Sequence, residues 1–328
     1  MSGAIPEAAS LLGRRVAIFG SSANPPTGTS GHVGIVRHMV KSGLFDELWV
    51  LPVYQHMFAA KRHLEAFEHR VQMCRLCMEP ESTSACRVRV LEVEREAAEA
   101  LLPKGVGRVG TVDVLDFICE KLRLPVDAHA DGNAAAADAP AVDGEGGSGD
   151  RLGGVDGGGL QLHLLLGSDT FRDLASRKWK QADRIMKMAT VHVILRRGHP
   201  LDEGLAGTGE ELVGGLEEGA EGLDGLRRVT HRPLLGEVSS SEVRALLEAA
   251  GGGSGGEGSG GGDSRDRSRD SGGGADHIDA GQQGQGGALR RLGEVLRPSV
   301  LAYIQQHRLY GCAPVPDTPT DTPPPTLT

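Results

Sequence analysis

Arg15 to His32 reads R-V-A-I-F-G-S-S-A-N-P-P-T-G-T-S-G-H, and this stretch decides the fold. Val16-Ala17-Ile18-Phe19 is an unbroken apolar run, the pattern of a strand buried on both faces. Gly20, Ser21 and Ser22 follow, then Asn24, two prolines and a Thr/Gly/Ser run that ends in Gly31-His32. From there apolar side chains recur at Val33, Val36, Met39 and Val40, which predicts a helix over 32–41. A strand that empties through small residues onto a helix N-terminus is suited to hold phosphate. The helix end offers unpaired N–H groups and the positive end of its dipole, and glycines let an anion approach the backbone. His32 at that end can donate a hydrogen bond to charge developing on a phosphoryl group.

Outward from this turn, strands alternate with helices. Strands are predicted at 16–19, 47–53, 87–93, 160–166 and 190–195. Helices are predicted at 32–41, 67–79, 111–122, 169–188 (in one piece or two), 241–249 and 298–307. The order predicts an α/β fold, a Rossmann-like doubly wound parallel sheet covered on both faces. Ligands of such sheets bind beyond the C-terminal strand ends. The opening turn lies at such an end, and so does Gly167-Ser168-Asp169 after Leu166.

Of 328 residues, 49 are glycine and 3% aromatic, and much of the glycine falls in blocks with few apolar side chains. Residues 128–159 and 251–287, with part of 201–226, are expected to be disordered insertions, because they cannot offset the entropy of ordering. The expected organisation is an N-terminal extension at 1–13, one domain over 14–311 and a Pro/Thr-rich tail at 312–328. The remaining ~200 residues suffice for one core. A net charge of −9 argues against a non-specific nucleic-acid binder. Arg265 to Asp270 alternates arginine with acid or serine and reads as a solvated linker. No apolar run approaches membrane-spanning length, and the first thirteen residues lack the marks of a signal peptide. A cytoplasmic protein is expected, with a plastid or mitochondrial address left open by the Ala/Ser-containing start that ends in Arg14-Arg15. A homo-oligomer is also left open. Cys74, Cys77, Cys86, Cys119 and Cys312 are odd in number and irregular in spacing, so free thiols are expected. Cys74 and Cys77 form a C-x-x-C inside a helical pattern and read as a buried helix face.

A second phosphate-binding pattern is Val238-Ser239-Ser240-Ser241-Glu242-Val243-Arg244. Serines before Glu and an apolar run cap a helix. The same hydroxyls and helix N–H groups can hold triphosphate oxygens, and Arg244, one turn in, can clamp them with its planar fork.

Together these stretches resemble the nucleotidyltransferases with an (H/T)-x-G-H signature. Thr29-Ser30-Gly31-His32 is the T-x-G-H form, and V-S-S-S-E-V-R is similar to their late I-S-S-T-x-I-R motif. G-S-S-A-N-P-P-T resembles the G-x-F-(N/D)-P-P-T of nicotinate-nucleotide adenylyltransferases, with Ala23 in place of Phe. Two extra residues separate Pro25-Pro26-Thr27 from Gly31-His32, so Thr27 or Thr29 fills the threonine position. Thr29, which completes T-x-G-H, is taken as the site residue. Further matches are Pro52-Val-Tyr-Gln-His56 with Lys61 and Phe67-Glu-His-Arg70, then Thr111-Val-Asp113-Val-Leu115, and Gly167-Ser168-Asp169 with Trp179. Leu296 to Gly311 resembles the family's C-terminal P-x-x-V-x-x-Y-I-x-x-x-x-L-Y segment.

The resemblance implies adenylyl transfer from ATP, with Mg²⁺ on the triphosphate, to nicotinate or nicotinamide mononucleotide. It implies His32, Thr29 and Arg244 as catalytic residues. ATP phosphates and nucleoside fall to Gly20, Ser21, Ser22, Gly31, Gly167, Asp169, Ser239, Ser240 and Ser241. The mononucleotide falls to Asn24, Lys61, Thr111, Asp113 and Trp179, and no protein-held metal is implied. Other transferases of the superfamily, acting on phosphopantetheine, choline or glycerol phosphate or FMN, remain alternatives, as does a non-catalytic nucleotide-binding homologue. Gly105-Val-Gly107-Arg-Val-Gly110 spells G-x-G-x-x-G, but a polar, helix-prone stretch and no strand precedes it, so it is not a dinucleotide fingerprint.

Overall fold

A computed structural model describes residues 3–55, 64–104, 108–124, 160–195, 216–218, 227–231, 233, 235–236, 238–251 and 280–312. The expected insertion at 128–159, most of those at 201–226 and 251–287, and the tail from 313 lie outside the described residues. So does Lys61.

The strands are β1 (Arg15–Ser21), β2 (Glu47–Pro52), β3 (Arg87–Val90), β4 (Gln161–Gly167), β5 (Thr190–Ile194), β6 (Leu216–Glu218) and β7 (Arg227–His231). They form one sheet in the order β3-β2-β1-β4-β5-β7-β6, parallel throughout except for the antiparallel edge pair β6–β7. The helices are α1 (His32–Lys41), α2 (Phe67–Met78), α3 (Val93–Leu101), α4 (Thr111–Leu122), α5 (Ser168–Ala175), α6 (Ala182–Met188), α7 (Ser240–Ala250), α8 (Ala280–Val295) and α9 (Pro298–Gln306).

The two-residue period of each strand divides the core into two layers. Val16 and Ile18 of β1, Trp49 and Leu51 of β2, and Val191 and Val193 of β5 meet α3, α4, α5 and α6 on one face. Ala17 and Phe19, Leu48 and Val50, and Ile194 meet α1, α2, α7, α8 and α9 on the other. This is the doubly wound α/β fold, and its continuous apolar strands follow from burial on both sides. Chain order runs outward from β1 to β3 in one direction and from β4 to β7 in the other, so strand order reverses between β1 and β4. Their register, Ile18 opposite Leu164, lays the two C-terminal ends side by side.

Four features depart from expectation. β3 stops at Val90, and Val93 starts a helix instead of ending a strand. Arg227–His231 is a sheet strand, and Leu216–Glu218 within the 201–226 stretch pairs with it. Residues 280–287, assigned to the second insertion, begin α8, whose C-terminal half buries Ala288, Leu292 and Val295. At the two ends, Leu11 of the extension and Cys312 of the tail are buried against the core. Among the described residues no helix is long and apolar enough to cross a membrane. All five cysteines are free and buried, and burial pushes the Cys77 thiol up to about 12 and the Cys74 thiol up as well, which makes them poor nucleophiles.

Candidate active site

The β1–α1 turn folds back on itself around His32. The Thr27 N–H donates to His32 Nδ1 at 3.1 Å, and Thr27 Oγ1 lies 2.6 Å from the same nitrogen. Thr27 Oγ1 also accepts from the His32 backbone N–H at 2.9 Å. A ring nitrogen that accepts from a backbone N–H carries no proton, so this pattern places the proton of neutral His32 on Nε2. Gly31 makes the clasp possible, because a Cβ there would stand 2.0 Å from Thr27 Oγ1. Thr29, the site threonine expected from the T-x-G-H spelling, is exposed and does not hold the ring. The turn doubles back so that the earlier threonine, Thr27, buried to 1%, reaches the histidine. The C-terminal end of α8 braces the turn: Gly28 N–H donates to the Val295 carbonyl at 2.7 Å.

The late serine motif docks on this same turn. Ser239 caps α7, its Oγ accepting from Glu242 N–H at 3.1 Å. Ser240 Oγ donates to the Pro25 carbonyl at 2.8 Å. Arg244 donates from Nη1 to the Asn24 carbonyl at 2.5 Å and from Nη2 to Ser241 Oγ at 2.9 Å. Two helix N-termini, of α1 and α7, thus meet around one loop, each with its positive dipole end there.

Ser21 and Ser22 work structurally within the turn. Ser21 Oγ accepts from Ala23 N–H at 3.2 Å, and the Ser22 carbonyl accepts from Arg70 at 3.0 Å. Gly20, at the end of β1, is exposed and has open space where a Cβ would point. At the end of β4, Gly167 precedes α5 in extended conformation and Asp169 is exposed in the first turn. Trp179, between α5 and α6, packs half-buried against the first core layer. Its neighbour Lys180 pairs with Asp113 at 2.8 Å, so the T-V-D and G-S-D…W segments touch. Asp113 also accepts from Gly110 N–H at 2.8 Å, which closes a capping box on Gly110, the N-cap of α4. A helix, α3, precedes the G-x-G-x-x-G stretch, as a dinucleotide fingerprint would not allow.

Two groups without an assigned role organise the rim. Arg70, 1% exposed, donates to the carbonyls of Glu65 (2.8 Å), Ser22 (3.0 Å) and Val53 (2.6 Å) and so ties together the loops after β1 and β2. Glu94 of α3 accepts from Tyr54 N–H at 2.9 Å, and burial pushes its carboxyl up to about 7 against the opposing pull of that hydrogen bond and Arg70. Asn24, expected at the mononucleotide, is 3% exposed, and its Oδ1 accepts from Glu65 N–H (3.0 Å) and from the Tyr310 hydroxyl (2.9 Å). The signal for Arg70 and Tyr310 lay in the F-x-x-R and L-Y motifs, which state a residue type without a partner.

No family model matches the chain. Over 187 residues it is 29% identical to the Myxococcus xanthus protein named "Probable nicotinate-nucleotide adenylyltransferase", covering 57% of this chain and 70% of that one. A protein of the same name from Anaeromyxobacter sp. (strain K) is 27% identical over 57% of this chain and 74% of its own. Among solved structures, Plasmodium falciparum nicotinic acid mononucleotide adenylyltransferase complexed with NaAD superposes with a TM-score of 0.50 at 15% identity, covering 92% of this chain and 98% of that one. The same enzyme complexed with APC superposes equally well. The His32 turn lies at the strand-order reversal with the serine motif docked on it; in sequence the chain is similar to proteins named as probable nicotinate-nucleotide adenylyltransferases, and in fold to the Plasmodium falciparum enzyme.

Proposed function

We propose that the chain transfers the adenylyl group of ATP to nicotinate mononucleotide, giving a pyridine dinucleotide and pyrophosphate. The observation that carries this reading is the Thr27–His32 clasp set beside the docked N-terminus of α7. An oxygen of the mononucleotide phosphate attacks the α-phosphorus of ATP in line, and the bond from that phosphorus to the bridging oxygen of pyrophosphate breaks. No covalent enzyme intermediate is needed, so the protein positions the reactants and stabilises charge. His32 donates from Nε2 to the oxygens that gain charge. Ser240, Ser241, Arg244 and the first N–H groups of α7 receive the β- and γ-phosphates.

Mg²⁺ fits as an ion carried by the substrate. Cationic and N–H donors surround the turn and would face the triphosphate that carries it. On the triphosphate the ion would neutralise charge on the leaving pyrophosphate. Residues 14–311 act as one domain in this reading. Thr111, Asp113 and Trp179 form the pyridine side and Asp169 the nucleoside side.

The test offers the purified chain ATP and Mg²⁺ with nicotinate mononucleotide, nicotinamide mononucleotide or phosphopantetheine. Dinucleotide from a pyridine substrate supports the reading, and the rate ratio fixes the preference. Turnover with phosphopantetheine alone moves the chain to another branch, and ATP binding without product makes it a non-catalytic homologue. His32→Ala is expected to lower kcat by about 10²-fold or more with the fold intact. An unchanged kcat in that variant sinks the site.

A further inference from the structure

We propose that Tyr310, near the C-terminal end of the described chain, is a positioning residue for the phosphate-binding turn, an inference that rests on the adenylyl-transfer reading. Its hydroxyl donates to Asn24 Oδ1 at 2.9 Å. The same oxygen accepts from Glu65 N–H at 3.0 Å, so two remote segments hold one side-chain carbonyl. The Asn24 backbone carbonyl accepts from Arg244, and the next carbonyl, Pro25, accepts from Ser240. Asn24-Pro25 therefore joins the turn, the approach to α2, the start of α7 and the C-terminal segment.

The backbone on both sides is unusual in a way that a packing role alone does not require. Tyr310 has φ 56° and ψ 32°, left-handed for an aromatic residue, between Arg308 at φ 54° and Gly311 at φ 70°. Ala23, just before Asn24, has φ 45°. Non-glycine residues enter this region at a cost and stay there only where their surroundings hold them. Here the left-handed residues deliver a phenol to one side of the hydrogen bond and an amide to the other. Burial, with Glu65 nearby, raises the Tyr310 hydroxyl above its ordinary value, so it remains a neutral donor over the working pH range.

Asn24 lies in the segment between the end of β1 and Thr27, which clasps His32. Losing one of its anchors lets Asn24 shift, and Ser240, Arg244 and Thr27 shift with it. Small misplacements of catalytic groups lower the rate steeply while leaving ground-state binding nearly unchanged.

The test is Tyr310→Phe in the full chain, which removes the hydroxyl and keeps the ring. Expected are a melting temperature lower by about 2–4 °C, a kcat lower by about 10-fold and KM values for ATP and mononucleotide within about twofold of wild type. A kcat at the wild-type level with only the melting temperature lowered would reduce Tyr310 to a packing role and overturn the proposal. In a double-mutant cycle with Asn24→Ala, the double variant should have the kcat of Asn24→Ala alone, and independent losses would overturn it too. If Asn24→Ala does not fold, the split between kcat and KM in Tyr310→Phe decides. Wild type is assayed first. If it binds ATP but makes no dinucleotide, the catalytic reading has failed. Amide hydrogen exchange at Thr27 to Gly31 then tests the anchor by itself: faster exchange in Tyr310→Phe supports it, and unchanged exchange refutes it.

Discussion

Thr27 and Thr29 stand two positions apart in one small-residue run, and only their surroundings separate their roles. Thr27 is buried and bonded twice to His32 through its N–H and its hydroxyl, while Thr29 faces solvent. Spacing could not decide between them, because the additional residues before Gly31 leave either threonine within reach on paper. Gly31 decides it by opening space for the Thr27 hydroxyl. Thr27→Val keeps the backbone N–H to Nδ1 but removes the hydroxyl that accepts from His32 N–H. We expect kcat to fall by about 10- to 10²-fold in Thr27→Val and to stay within about twofold of wild type in Thr29→Val. Equal losses in the two variants would mean that the turn rearranges when substrate binds.

At the scale of elements, α8 shows where local propensity is overridden. Its first half, A-G-Q-Q-G-Q-G-G at 280–287, is glycine-rich and reads as the end of the second insertion. The helix exists because Ala288, Leu292 and Val295 fall on one face and are buried, Leu292 and Val295 within the second core layer, which brings the Val295 carbonyl to Gly28. At Gly286, Gly287 and Gly293 an added Cβ would meet open space, with no neighbouring atom within 4 Å. Replacing these three by alanine removes backbone freedom from the unfolded chain without a clash, worth about 0.5–1 kcal/mol each. The triple variant should therefore melt several degrees higher with kcat unchanged, and thermal unfolding followed by circular dichroism reads the shift. No rise would place these glycines at strained positions. The same override hid β7, since R-R-V-T-H offers only Val229 as an apolar residue and gains its strand character from pairing with β5. By contrast β1, β2, β4 and β5 were legible, because strands covered on both faces must be apolar throughout. The docking of α7 on the turn was legible in chemistry but not in partners: the serines and arginine announce phosphate, yet their bonds to Pro25 and Asn24 belong to the tertiary structure.

For the whole molecule, the second core layer holds a row of histidines that the proposed chemistry does not use. His163 Nδ1 lies 3.0 Å from His192 Nε2, and His192 Nδ1 lies 2.8 Å from His231 Nε2, across the adjacent strands β4, β5 and β7. Phe45 packs edge-on against His163 and His192, and His38 of α1 packs edge-on against His231. Neutral imidazoles satisfy such a row by each donating once in the same direction. Burial, then the neighbouring imidazoles His163 and His231, push His192 down to about 2; burial and His38 push His231 down to about 4. In the unfolded chain both titrate near 6.5. Their contribution is therefore complete above pH 6.5 and is lost as pH falls from there toward about 4, as the unfolded state takes up the protons first. Glu94 works in the opposite sense: its carboxyl is raised to about 7, so its contribution grows as pH falls from 7 toward the ordinary carboxylate range. Each group changes stability by up to about 1.4 kcal/mol per pH unit, and two histidines outweigh one carboxylate. Between about pH 6.5 and 5 the net loss should be about 2 kcal/mol, read from urea midpoints. Glu94→Gln should steepen that loss by removing the opposing group. His192→Leu should start less stable at neutral pH, because it removes the bonds that His163 Nδ1 and His231 Nε2 make to His192, yet lose less on acidification. A His192→Leu variant with the wild-type slope would show that the buried row is not where the unfolded state gains its protons.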